Sequence, residues 1–473
     1  MKVLFTHSYF LNFDQKQLEL SKPYPPLGTI TAASYMREND FDVDLFDTYF
    51  CHNPNEIEQK LNKTKPQVLV IYDDGFNYLT KMCLTRMREA AFSMAKLANS
   101  KGIRVIVASS DSTDHYQEYL ENGSDYIVLG EGEESLLEVL NSLKKEIEPK
   151  DINGIAYLQD GTAVKTAKRP IMTDLDKLPI AGWDLIDIKP YQKAWKQHGY
   201  FSINLATTRG CPYKCNWCAK PIYGNRYNSR SPEHVAKELQ LMQSLFSFDH
   251  IWFGDDIFGL KPSWVQEYNS VLKKYNIKVP YKIQSRADLL LKDDTIDNLV
   301  ESGCDEVWIG AESGSQKILD AMDKGTSLEQ IETCTKLMQK KGLKPCFFLQ
   351  FGYLSEDWKD IKHTLNMLFK LMPHDIGVSV SYPLPGTKFY DTVKSQLAEK
   401  KNWTDSDELL LMYKSTFSPK FYKVLHRFIH KRFRQKQAEA KIKKGKLKPI
   451  VKWVYQKVMS NAIYSYLLVL KRS

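Results

Sequence analysis

The sequence predicts an α/β protein. Its parts are a flavodoxin-like doubly wound N-terminal domain, a partial (β/α)6 barrel and a helical basic C-terminal region. Three observations carry this. Apolar runs alternate with amphipathic stretches over the first 145 residues, a second alternation of six strand-like runs begins near Ile203, and lysine and arginine gather after Lys420. The expected divisions are 1–145, a connector over 146–200, the barrel over 201–392 and the C-terminal region over 393–473. A chain of 473 residues has room for two or three domains. Its 43% hydrophobic and 26% charged residues are those of a globular protein.

Lys2 to Thr6 reads as a short strand, so the N-terminus is not the apolar stretch of a signal peptide. Pro25-Pro26-Leu27-Gly28 opens a helix, and Phe41 to Phe46 alternates as a strand should. Val68 to Ile71 and Arg104 to Val107 are continuous apolar runs, the mark of parallel strands buried on both faces. An amphipathic helix is expected between them, from about Thr80 to Asn99. Tyr126 to Gly130 is the fifth strand. Ligands of such sheets bind beyond the carboxyl ends of the strands.

In the connector, Gly154 to Leu158 and Ala163-Val164 predict a hairpin around Asp160-Gly161. The second alternation continues with a helix from Pro232 to Ser244, opened by proline. Further strands are Ile251 to Asp256, Tyr281 to Arg286, Glu306 to Gly314, Cys346 to Gly352 and Val378 to Thr387. Active sites of β/α barrels lie at the carboxyl face of the strands.

The chemistry begins with Cys211, Cys215 and Cys218, in Thr207-Thr208-Arg209-Gly210-Cys211-Pro212-Tyr213-Lys214-Cys215-Asn216-Trp217-Cys218. The spacing is C-x3-C-x2-C. Thiolates are the usual ligands of iron–sulfur clusters, and a fully ligated four-iron cluster needs four. Three leave one iron open to a substrate or cofactor. The competing metal is zinc held by three cysteines and either His198 or His234, but zinc loops usually repeat a cysteine pair downstream. Cys51, Cys83, Cys304, Cys334 and Cys346 are scattered singly and read as small buried hydrophobes.

This motif, in a loop ending a strand and with an aromatic before its last cysteine, resembles that of the radical S-adenosylmethionine (radical SAM) enzymes. The resemblance implies a [4Fe–4S] cluster on the three cysteines, SAM on its open iron, and cleavage of SAM to methionine and a 5′-deoxyadenosyl radical. It implies that Trp217 covers the cluster and that Asp255 and Asp256, Arg286 in Ser285-Arg286-Ala287-Asp288, and Glu312 in Gly310-Ala311-Glu312-Ser313-Gly314 surround SAM. Tyr382, in Tyr382-Pro383-Leu384-Pro385-Gly386-Thr387, either faces the substrate as a catalytic residue or packs at the barrel rim. An electron donor such as flavodoxin or ferredoxin and a small-molecule substrate are implied as partners.

The first domain resembles the cobalamin-binding domain of class B radical SAM enzymes through Pro25-Pro26-Leu27-Gly28, Asp47 and Gly130-Glu131-Gly132-Glu133. The Asp-x-His-x-x-Gly motif that supplies a lower cobalt ligand is absent. Ala108-Ser109-Ser110-Asp111 stands where the family often has a glycine pair. Ser109, Ser110, Gly130 and Glu131 are therefore the expected cobalamin contacts. The resemblance implies a cobalamin-dependent methyltransferase acting on an unactivated carbon, or a radical SAM oxidative cyclase or rearrangement enzyme that transfers no methyl group. A zinc-dependent nucleic-acid-binding protein is the alternative from another class, and it leaves the six-strand pattern unexplained.

The formal charge of +9 belongs to the end of the chain: from Lys420 there are sixteen Lys or Arg against Glu439 alone, so the first 419 residues are net acidic. Phe421, Leu425, Phe428 and Ile429 fall at helical spacing, and Lys452 to Leu470 mixes aromatic and apolar residues. Packing against the barrel, contact with an anionic membrane, and, less well, nucleic acid are the readings. No run reaches a membrane-spanning length, and the expected location is cytoplasmic or peripheral at the membrane.

Overall fold

The computed structural model describes residues 1–82, 84–218, 222–397, 400, 402–445 and 449–471. Five parallel strands, β1 (Lys2–Thr6), β2 (Asp42–Leu45), β3 (Val68–Tyr72), β4 (Arg104–Ala108) and β5 (Tyr126–Val128), form a sheet in the order β2-β1-β3-β4-β5. This is the flavodoxin-like order, with its switch point between β1 and β3. Strand alternation sends Leu4, Leu69, Ile71, Val105 and Val107 to one face, against the helices Ile57–Thr64 and Thr85–Asn99. Val3, Phe5, Val68, Val70 and Ile106 face the other way, into a core that runs on into the second sheet. The helix expected from Thr80 starts at Thr85; Tyr78–Lys81 is a separate turn.

The predicted hairpin forms as β6 (Ile155–Gln159) and β7 (Thr162–Lys165), turning at Asp160-Gly161, where both φ angles are positive. It does not stand between two bodies. It pairs antiparallel to β5 and widens the first sheet to seven strands.

The second sheet is wholly parallel. Its strands β8 (Ser202–Leu205), β11 (His250–Phe253), β12 (Tyr281–Ser285), β13 (Cys304–Glu312), β14 (Lys344–Phe351) and β15 (Asp375–Val380) run in sequence order. A two-residue ribbon, β9 (Thr208–Arg209) with β10 (Asn228–Ser229), brackets the cysteine loop. The six-step partial barrel is as expected. Residues 402–406 return to the first domain, where Thr85 and Arg86 donate backbone hydrogen bonds to the Trp403 and Thr404 carbonyls.

Of the C-terminal helices, Pro419–Lys443 buries Phe421, Leu425 and Ile429, and Arg434 pairs with Asp375 at the start of β15 at 2.7 Å. The helix Ile450–Leu470 packs on it. Cys304, Cys334 and Cys346 are buried and Cys51 half-buried; burial pushes the Cys51 and Cys334 thiols up to about 12. Cys83 lies outside the described residues.

Candidate active site between the two sheets

The loop holding Cys211, Cys215 and Cys218 leaves β8 at the carboxyl face of the barrel, with all three residues half-buried. Gly210 turns the chain into it at φ +77°, where a Cβ would collide with the carbonyl oxygen of Arg226. Only glycine meets both demands. Asn216 pins the loop from within: its backbone N–H donates to the Met322 carbonyl, its amide to the Ala321 carbonyl, its side-chain oxygen accepts from Tyr353, and its carbonyl accepts from Phe389 N–H.

The strand ends of the barrel surround this loop. Asp255 follows β11, fully buried, and accepts from Thr207 N–H (2.7 Å), the Thr207 hydroxyl (2.6 Å) and Thr208 N–H (2.9 Å). It braces the entry to the cysteine loop, and burial, only partly offset by these bonds, raises its carboxyl to about 6. Glu312 ends β13 at a bulge opposite Phe348 and Leu349, with φ +54°. Left-handed backbone at a non-glycine strand end is costly and concentrates at functional sites. Its buried carboxylate accepts from Lys324 Nζ at 2.8 Å. Burial alone would lower the Lys324 ammonium, but Glu312 and the nearby Cys215 together hold it above its ordinary value. Gly310 makes room for the pair, since a Cβ there would stand 2.5 Å from Lys324 Nζ.

Arg286 follows β12. It donates to Asp288, the Gly325 carbonyl and the Thr326 hydroxyl, and lies 3.7 Å over the Tyr213 ring, yet its Nη1 is buried with no partner. Trp217 Nε1 is a second such donor. Buried donors are nearly always satisfied. Two beside one loop mark a place where a ligand's acceptors belong.

The strand ends of the first sheet face this rim. Arg209, two residues before Cys211, is buried against Glu131 (2.6 Å) and Glu133 (2.6 Å), from the turn after β5. Lys81 pairs with Asp256 at 2.5 Å, and the Tyr382 hydroxyl donates to the Met82 carbonyl while accepting from Asn402 and Trp403 N–H. Within the first domain, Asp73 accepts from Ser8 N–H and hydroxyl, bridging the β1/β3 switch point, and Asp74 accepts from the first N–H groups of the helix Leu27–Glu38. Ser109 caps the turn Ser110–Asp114, whereas the buried Ser110 hydroxyl has no partner. Beside it Gly130, at φ +74°, donates to Thr113.

The structure thus brings Arg286, Glu312 and Trp217 to the three cysteines. It commits Asp255, Asp256, Tyr382, Ser109, Glu131 and the Gly130 N–H to bonds within the protein, and leaves the Ser110 hydroxyl without a partner. Sequence reasoning missed Lys324, Asn216 and Arg209; Asn216, between the second and third cysteines, and Arg209, two residues before the first, stood in the quoted run, whereas Lys324 carried no signal. The histidines weighed for zinc serve elsewhere: His198 bonds the Leu20 and Ser21 carbonyls, and His234 bonds Asp176. Among the described residues no three His, Cys, Asp or Glu side chains converge on a single ion.

Residues 205–368 match the model of the radical SAM superfamily. An uncharacterized methyltransferase of Pyrococcus horikoshii is 26% identical over 391 residues, 80% of this chain and 81% of that one. The anaerobic magnesium-protoporphyrin IX monomethyl ester cyclase of Synechocystis is 24% identical, over 77% of this chain and 72% of its own. Among solved structures, OxsB with aqua-cobalamin bound superposes with a TM-score of 0.73 at 19% identity, over 98% of this chain and 72% of that chain. TsrM from Kitasatospora setae, with cobalamin and a [4Fe–4S] cluster bound, gives 0.69 at 16% identity, over 84% and 75%. The stretch that matches the radical SAM superfamily model holds the cysteine loop and the barrel strands β11 to β14, and the chain is similar in fold to OxsB and TsrM.

Proposed function

We propose that the chain is a cobalamin-dependent radical SAM methyltransferase acting on a small molecule at an unactivated carbon. One observation carries the reading: a three-cysteine loop stands beside a buried Glu312–Lys324 pair and the unpartnered Nη1 of Arg286. A cluster on Cys211, Cys215 and Cys218 would supply the electron that splits SAM, and cobalamin would supply the methyl group. Arg286 Nη1 is suited to a carboxylate, the acceptor that SAM offers. Glu312 can take an amino group or ribose hydroxyls in exchange for, or alongside, Lys324. Trp217 keeps water from the cluster face.

For cobalamin the residues divide. Ser110 and Gly130 fit a polar tail lying between the ends of β4 and β5, while Asp73 and Ser8 close the β1/β3 switch point. No histidine stands in an Asp-x-His-x-x-Gly context, so this chain would offer cobalamin no histidine from that motif. The closed switch point favours a second reading, a radical SAM cyclase or rearrangement enzyme without methyl transfer. The chain would draw its electron from a flavodoxin- or ferredoxin-type donor in the cytoplasm.

The test is anaerobic reconstitution followed by metal analysis, with SAM carrying a labelled methyl group and with or without methylcobalamin. About four iron per chain and 5′-deoxyadenosine are expected, with label in product only when cobalamin is bound. Zinc in place of iron sinks the radical reading. SAM cleavage with no cobalamin retained sinks methyl transfer and leaves the cyclase class.

A further inference from the structure

The helix Ile450–Leu470 buries a mixed face. Its buried positions are Gln456, Ser460 and Leu467, with the Ser460 hydroxyl bonded to Gln435 of the preceding helix and Ile463 and Tyr464 packed beside them. Its opposite side is apolar and open: Val451 is 80% exposed, Val458 62% and Val469 63%, with Val454, Tyr455 and Tyr466 between them also exposed. At 100° per residue these six fall on a single stripe along the helix. An apolar face turned outward on a helix of this length marks an interaction surface.

The rim of the stripe says what covers it. Lys431 and Lys420, from the preceding helix, lie over the rings of Tyr455 and Tyr466 at 5.0 and 5.6 Å. Lys457 lies over Trp453 at 4.7 Å, and Lys452 is exposed beside it. No acidic residue stands anywhere between Ile450 and Leu470. Valines flanked by tyrosines and lysines repeat the order of chemistry met on entering a bilayer, with apolar chains beneath an anionic headgroup layer. A protein partner would need an acidic rim around an apolar groove, whereas an anionic bilayer offers both without a fixed shape. Among the described residues no helix is long and apolar enough to cross a membrane, so contact would be in the plane of the surface.

We propose that the outer face of Ile450–Leu470, with Lys420 and Lys431, docks the protein on anionic lipid bilayers. The substrate would then be met at, or delivered from, a membrane surface. Docking is independent of the radical chemistry, because none of these residues belongs to the active site.

The full chain should sediment with phosphatidylcholine vesicles that contain phosphatidylglycerol and not with phosphatidylcholine alone, and rising salt should release it. Val451→Asp with Val458→Asp should weaken binding by about tenfold or more, and Lys420→Glu with Lys431→Glu should lessen the preference for anionic lipid. These side chains are on the surface, so SAM cleavage and the thermal transition should stay unchanged, showing that the variants fold. Equal binding to neutral and anionic vesicles, or binding indifferent to the aspartates, overturns the proposal. So does a dimer in solution that the aspartates dissociate, since the face would then belong to a second copy of the chain.

Discussion

The two sheets end their strands differently, although the first also leaves the Ser110 hydroxyl unpartnered after β4. In the first, carboxylates at the strand ends are satisfied by their own domain: Asp73 by Ser8, Asp74 by the helix Leu27–Glu38, and Asp111 by Arg88 and Tyr119. In the second, buried polar atoms at or near the strand ends lack partners: Arg286 Nη1, Trp217 Nε1 and, after β14, Glu356 Oε1. Each unpartnered buried group costs roughly 1–3 kcal/mol. Such groups are ones that a ligand can complete, and Arg286, the charged donor beside the cysteine loop, lies on the barrel, where the first domain meets the rim through Arg209 and Lys81.

The largest way to break the comparison is to empty the barrel rim. Cys211→Ala, Cys215→Ala or Cys218→Ala should take SAM cleavage to background, measured as 5′-deoxyadenosine, with little change in the fold. Retained cleavage in any of them would move the cluster off this loop. Next in size is Lys324→Met, which strands the Glu312 carboxylate in a buried site. Removing one partner of a buried pair costs about 3–5 kcal/mol, read as a lower urea midpoint. Adding Glu312→Gln should recover much of that loss, since the two effects are coupled, but should not recover SAM binding.

On the other sheet the open group is Ser110. Ser110→Leu replaces an unpartnered hydroxyl with a bulky apolar group and should cut retained hydroxocobalamin by about tenfold or more while leaving SAM cleavage intact. Unchanged retention would place the tail elsewhere on the domain, and Ser109, already capping its own turn, would not be the substitute.

The cysteine loop and the order of strands were legible because ligand spacing and apolar runs are local properties. What escaped was distant or inverted. Lys324 lies twelve residues beyond Glu312, in a loop whose sequence promises nothing, and meets it only because β13 bulges at its end. Asn216 looks like any loop asparagine until strands four to six surround it. The hairpin at Asp160-Gly161 was readable as a hairpin but not as the edge of a sheet, because pairing with β5 is a long-range choice. In the C-terminal helix, hydropathy shows apolar residues without saying which side faces in. There the polar Gln456 and Ser460 share the inner face with Leu467.

The smallest effect tests whether the unpartnered groups of the barrel are kept neutral. Burial, only partly opposed by Gly352 N–H at 2.7 Å, lifts the Glu356 carboxyl to about 8, against 4.5 for the ordinary group. The folded chain therefore holds a proton that the unfolded chain gives up near pH 4.5. Stability from this group is complete below the unfolded value and drains as pH rises toward the folded one, by at most about 1.4 kcal/mol per pH unit. Asp114 and Asp255, both lifted to about 6, act in the same direction but are spent by that pH. Over pH 6 to 8 the half-buried His426 and His430, held down to about 3 and 4, still add an opposing slope near the ordinary 6.5, and the difference between parent and variant isolates Glu356. Glu356→Gln keeps an oxygen for the Gly352 N–H and carries no titrating proton, so its urea midpoint should vary less steeply over that interval than that of the parent chain. Equal slopes would mean that the carboxylate is already ionised in the fold and that a cation meets Oε1.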